Sequence, residues 1–238
     1  MNYLSAPGRL LYPIAVLAFG VLHFVFGHTL MGMLPLPAWL PAPLFWTYLD
    51  GTIFTLTGIT MLVRVKSLPE SFIAGTWFLF LYLLLNLRGQ ITTPHDPAVW
   101  TGAFELVALG GGAFLWGGRS WGKYLYAASL VIFAIQHFLY AEFIAGLIPG
   151  WIPFHLFWAY FVGVVFLASV VSIVLNAQVR LSGTLLGILF FLWVLILHGP
   201  RVVASPHKET EWTSLFVALA MGAIAWILTA QPGKPADR

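Results

Sequence analysis

The chain has 238 residues, of which 60% are hydrophobic and only 8% charged, with a net charge of +3 and no cysteine. A soluble domain carries about 25% charged residues, so this composition excludes one and fits a polytopic membrane protein. The missing cysteine excludes disulfides, thiolate metal sites and cysteine nucleophiles, and basicity on so apolar a chain reads as an orientation signal rather than as nucleic-acid binding.

Eight apolar stretches predict membrane helices, at about 11–31, 43–63, 71–87, 100–117, 124–146, 156–175, 181–198 and 212–230. Each is long enough for a hydrocarbon core about 30 Å thick. Their continuity, without alternation, argues against strands. The first stretch lacks a cleavable signal pattern and is expected to be retained. Basic residues sort by side. Arg9, Arg64, Lys66, Arg119, Lys123, Arg180, Lys234 and Arg238 fall on one side, and Arg88, Arg201 and Lys208 on the other. The positive-inside rule then puts both termini in the cytoplasm.

The chain repeats itself. His23-Phe24 matches His137-Phe138 at an offset of 114, and after a two-residue gap the offset is 112. At 112, Trp39 matches Trp151, Phe45-Trp46 matches Phe157-Trp158, and Gly51 matches Gly163. Pro94-His95 matches Pro206-His207, and Trp100-Thr101 matches Trp212-Thr213. The expected fold is all-α, with two parallel four-helix repeats (1–120 and 121–231) and a short cytoplasmic tail (232–238). Four crossings return the chain to its starting side, so the pseudo-twofold axis is expected along the membrane normal.

All seven histidines and six of the eight acids lie on the outer side, while the inner halves of the helices are almost purely apolar. Ionisable groups at membrane depth usually mark a bundle interior or a water-filled cavity, which directs attention to the extracytoplasmic mouth. His23 and His137 hold equivalent places; they could ligate haem or a metal, bind a carbonyl, or bond a neighbouring helix. Asp50 and Glu105 have Val162 and Val217 as counterparts. They read as proton acceptors, or as ion-pair partners, Arg88 among them. Asn86 matches His198, and Arg88 lies one register from Arg201. These arginines could hold an anionic or carbonyl head, or snorkel to the interface. Trp46 and Trp158 stand at outer boundaries, as ring walls of a pocket or as belt anchors. The Pro-rich "PLPAWLPAP" and "IPGWIPF" predict a short amphipathic or re-entrant lid. P-loop, dinucleotide, HExxH and GxSxG motifs are missing, and no metal site is expected.

Three segments resemble the DoxX-like family of bacterial membrane proteins: "FAIQHFLYAEFIAGLIPGWIPFHLFWAYFVG" (133–163), "LLGILFFLWVLILHGPRV" (185–202) and "EWTSLFVALAMGA" (211–223). The resemblance implies a four-helix unit, here in tandem, and a kinship with membrane parts of thiosulfate:quinone oxidoreductase. The acid that follows "WTSAF" in that family survives only in the first half, as Glu105. The "HxPR" element survives only in the second, as His198-Gly199-Pro200-Arg201. That division favours one composite site or two degenerate ones. The expected function is a membrane redox component binding a quinone or similar lipophile near the outer side, with quinone or haem as candidate cofactor; if catalytic, it is an oxidoreductase component. The alternatives are a structural subunit of a larger membrane complex and a transporter or lipid-handling protein. Expected partners are the lipid bilayer and other membrane subunits or a second copy, not nucleic acid.

Overall fold

A computed structural model describes residues 3–63 and 68–231. Arg64, Lys66, Lys234, Arg238 and the 232–238 tail lie outside the described residues. Within them the chain is helical, without strands. In chain order the elements are α1 (Ser5–Phe26), α2 (Pro43–Val63), α3 (Leu68–Leu81), a π-helical turn π1 (Tyr82–Asn86), α4 (Leu87–Thr92), α5 (Pro97–Trp116) and α6 (Gly122–Leu139). There follow α7 (Ala141–Leu147), α8 (His155–Leu175), α9 (Val179–Trp193), a second π turn π2 (Val194–His198), α10 (Gly199–Ala204) and α11 (Glu209–Leu228).

Six of these, counting α3–π1–α4 and α9–π2–α10 as continuous runs, are long and apolar enough to cross a membrane, and the bent α6–α7 pair brings the number to seven. The chain is therefore a polytopic helical membrane protein. The other long helix, α2, has the bounds expected for the second span but is less apolar, because it carries Asp50 and five threonines. Four of those hydroxyls donate to carbonyls one turn back, at Pro43, Tyr48, Ile53 and Leu56, which lowers the cost of taking them out of water.

Two expected spans differ in shape. Residues 27–31 are not helical, because α1 ends at Gly27, whose φ of +70° turns the chain out of the helix. The expected span 124–146 breaks after Leu139, and α7 leaves at 94° to α6. Tyr140, at φ −118° and ψ 33°, is the break. The helix is thus too short to fill the interval and its last two turns become a separate, transverse piece.

The core runs along α5 and α11, which bury most of their length. Helix α5 packs on α3, α6 and α11, and α11 on α1, α9 and α5. Buried tyrosines bond from one helix to another: Tyr12 Oη on α1 donates to the carbonyl of Leu109 on α5 at 2.5 Å, and Tyr126 Oη on α6 to that of Met221 on α11 at 2.9 Å. Such cross-links satisfy polar atoms that lipid would leave unpaired. Several contacts recur at the sequence offset. Trp46 and Trp158 donate to Pro41 and Pro153, each at 3.1 Å. Trp100 and Trp212 donate to Pro94 and Pro206, each at 2.9 Å. Ala42 and Phe154 both take left-handed φ, 57° and 59°, just ahead of α2 and α8. The two π turns end on Asn86 and His198.

Candidate functional site

A cavity of about 310 Å³ opens in the second half, between α6, α7, α8 and the π2 region. His137 and His198 line it together with Trp158, Phe166, Phe190 and Trp193. Thr101, from α5 of the first half, closes one side. The transverse α7 forms another wall through Ile144, Leu147 and the adjoining Ile148, so the break in α6 is what roofs the cavity.

The histidines are set by their backbones. His137 Nδ1 lies 2.7 Å from the carbonyl of Phe133, one turn back. A carbonyl only accepts, so Nδ1 carries the hydrogen and Nε2 of the neutral ring is left with a bare lone pair. Phe166 meets the same ring edge-on, with centroids 5.1 Å apart. His198 closes π2, and its buried Nδ1 has no hydrogen-bond partner. An extra residue in a helical turn rotates the side chains that follow, and such π turns recur at functional sites. A mostly apolar cavity of this size, with two unsaturated ring nitrogens, suits a small aromatic or quinonoid head.

The other expected site residues lie elsewhere. His23 repeats the geometry of His137, with Nδ1 2.7 Å from the carbonyl of Phe19, but it is fully buried and its Nε2 has no partner. It does not line the cavity that holds His137. Asp50 is also fully buried; its Oδ1 accepts from Trp77 Nε1 at 3.0 Å while Oδ2 has no partner. Glu105 is half-buried on α5, one turn from Thr101, and neither it nor Asp50 pairs with Arg88 among the described residues. Arg201 forms an ion pair with Glu211 at 2.9 Å. Trp46 spends its indole N–H on the Pro41 carbonyl, as Trp158 does on Pro153, and only the Trp158 ring lines this cavity. Arg88 and Asn86 share a different cavity in the first half. Among the described residues no three His, Asp or Glu side chains gather as a metal site.

The corresponding volume in the first half is filled. Leu30, Met33 and Leu34 are fully buried where the second half has Ile144, Leu147 and Ile148, and Leu81 and Leu106 are fully buried where it has Trp193 and Ala218. The first half's connection is two residues longer between the matched His and Trp, and it forms turns instead of a helix. Three contacts escaped sequence reasoning: Trp77 beside Asp50, Glu211 beside Arg201, and the Phe166–Phe190 stack at 5.7 Å. Only Glu211 carried a signal, ten residues from Arg201 across a short loop.

Asp50 yields a stability prediction. A carboxylate at this depth with one oxygen unpaired is costly. Asp50→Asn keeps an acceptor for Trp77 and removes the charge, so it should stabilise the protein by about 1 kcal/mol or more. A thermal melt in detergent measures this, and a lower melting temperature than wild type would contradict it.

Compared with models of known families, with curated proteins and with solved structures, the chain matches none.

Proposed function

We propose that this is a DoxX-like protein of the bacterial inner membrane, a tandem duplication of a four-helix unit with eight spans, α2 and α6–α7 included, and both termini cytoplasmic. In support, hydrogen bonds, left-handed residues and π turns recur 112–114 residues apart. Its function on this reading is that of a membrane redox component binding a quinone or similar lipophile near the extracytoplasmic side.

One observation carries the functional reading: His137 and His198, each with an unspent ring nitrogen, line a single largely apolar cavity of about 310 Å³. A bound quinol supplies two electrons and two protons. The residues here have narrower tasks. His137 Nε2 accepts a hydrogen bond from the head's hydroxyl, His198 Nδ1 bonds its other oxygen, and the aromatic walls exclude water. The tail has a path as well. An apolar groove of about 530 Å³ runs along the α8–α9 seam past Leu185, Leu189 and Leu192, and shares Trp158 with the cavity.

A short-chain quinone titrated into the detergent-purified protein tests this, with tryptophan fluorescence and melting temperature as readouts. Wild type should bind and melt higher. His137→Leu and His198→Leu should each weaken binding about tenfold, the loss of one hydrogen bond of roughly 1.4 kcal/mol, without lowering the melting temperature of the free protein. If wild type neither binds nor shifts, the reading is lost.

A further inference from the structure

The outer end of the first half holds a second cavity, of about 510 Å³ and different chemistry. Its walls are the 31–39 loop, the end of π1, α4 and the start of α5. Met31, Leu36, Trp39 and Leu85 make it apolar; Asn86 and Arg88 bring donors. Asn86 is only 3% exposed, and its Nδ2 has no hydrogen-bond partner. Arg88 has no acidic partner among the described residues, although Asp96 is in the lining. That carboxylate is turned to the start of α5, where Oδ1 accepts from Ala98 N–H at 2.9 Å.

The second half explains why these donors are free. There Arg201 is held by Glu211, whose counterpart at the 112 offset is Val99. Loss of that acid leaves the first-half arginine uncommitted, and the exchange of His198 for Asn86 puts a buried amide next to it. A buried donor without an acceptor is costly, and a guanidinium offers a fork that matches phosphate oxygens. Apolar walls beside such a fork call for an amphiphile. We propose that this cavity binds a phosphate oxyanion, that of an anionic phospholipid, with Arg88 and Asn86 donating to its oxygens and the acyl chain against Trp39 and Leu85. Free phosphate offers the same oxygens without the chain. The site is separate from the histidine cavity, and its ligand does not depend on quinone binding there.

The test uses the full chain in mild detergent, titrated with phosphatidylglycerol or with inorganic phosphate, and read by native mass spectrometry and melting temperature. Wild type should hold one phosphatidylglycerol. Arg88→Gln and Asn86→Ala should each weaken it about tenfold, and Arg88→Lys severalfold, because a point charge replaces the fork. Arg180→Gln removes the same charge from the far end of α9 and should change nothing. A melting shift by inorganic phosphate equal to that by lipid, and lost in Arg88→Gln, identifies the free ion as the source. Phosphatidylglycerol binding within twofold of wild type in folded Arg88→Gln and Asn86→Ala overturns the proposal.

Discussion

Gly20→Val will collapse the folded yield and lower the melting temperature of whatever protein remains. Gly20 lies on the α1 face that meets α2, where a Cβ would stand 2.4 Å from both the backbone nitrogen and Oγ1 of Thr55. One turn earlier on the same seam, a Cβ on Gly58 would be 2.6 Å from the backbone nitrogen of Leu17. In a bilayer the apolar surfaces of two helices gain little by leaving lipid for each other, so close backbone approach over small residues is what holds them. Besides Thr55 Oγ1, the obstructing atoms at Gly20 are backbone, the Thr55 nitrogen and the Gly51 carbonyl oxygen, so no rotamer change relieves the clash and the two helices must move apart. Overpacking usually costs 1–3 kcal/mol, and here the cost should be about 3 kcal/mol or more. His23 and Asp50 would go with the seam, since a Cβ on neighbouring Gly51 would meet His23 Cβ at 3.0 Å. Gly146→Ala is the matched control. Nothing lies within 4 Å of its added Cβ, so about 1 kcal/mol in the stabilising direction is the most to expect inside a helix. Wild-type melting of Gly20→Val would mean that α1 and α2 do not pack through this face.

The helical class and the membrane setting could be read from the chain, because hydrophobic run length is a local signal. The breaks could not. Tyr140 is neither glycine nor proline, and the 94° turn after Leu139 depends on what α7 packs against. The π turns were equally silent, since "YLLLN" and "VLILH" read as ordinary helix. The site was half legible. His137 and His198 stood out as ionisable groups at membrane depth, but that they meet depends on how α6 sits against π2, which one sequence does not encode in any short-range pattern. The same gap separated Asp50 from Trp77, 27 residues away. Equivalence in the sequence match also misled: His23 and His137 share a backbone hydrogen bond yet differ in surroundings, because Leu30, Met33 and Leu34 are fully buried in the first half where Ile144, Leu147 and Ile148 line a cavity in the second.

That contrast supplies the sharpest test of the cavity. Ala218, on α11, lines it, and the first-half counterpart Leu106 is fully buried in a filled core. Ala218→Leu therefore gives the second half a side chain that the same fold already accommodates in the first. An isobutyl group in place of a methyl would take up volume in the cavity that His137 and His198 line, and it leaves both polar groups in place. Quinone affinity should fall at least a hundredfold, roughly 2.7 kcal/mol, more than for either histidine variant, because the head is excluded instead of losing one bond. Stability should move the other way. Filling an apolar void restores dispersion contacts on its lining, so the free protein should melt at or above the wild-type temperature, by about 0.5–2 kcal/mol as in other cavity-filling changes. Lost binding together with retained or raised melting separates occlusion of the site from damage to the fold. Unchanged quinone affinity in Ala218→Leu would move the ligand out of this cavity altogether.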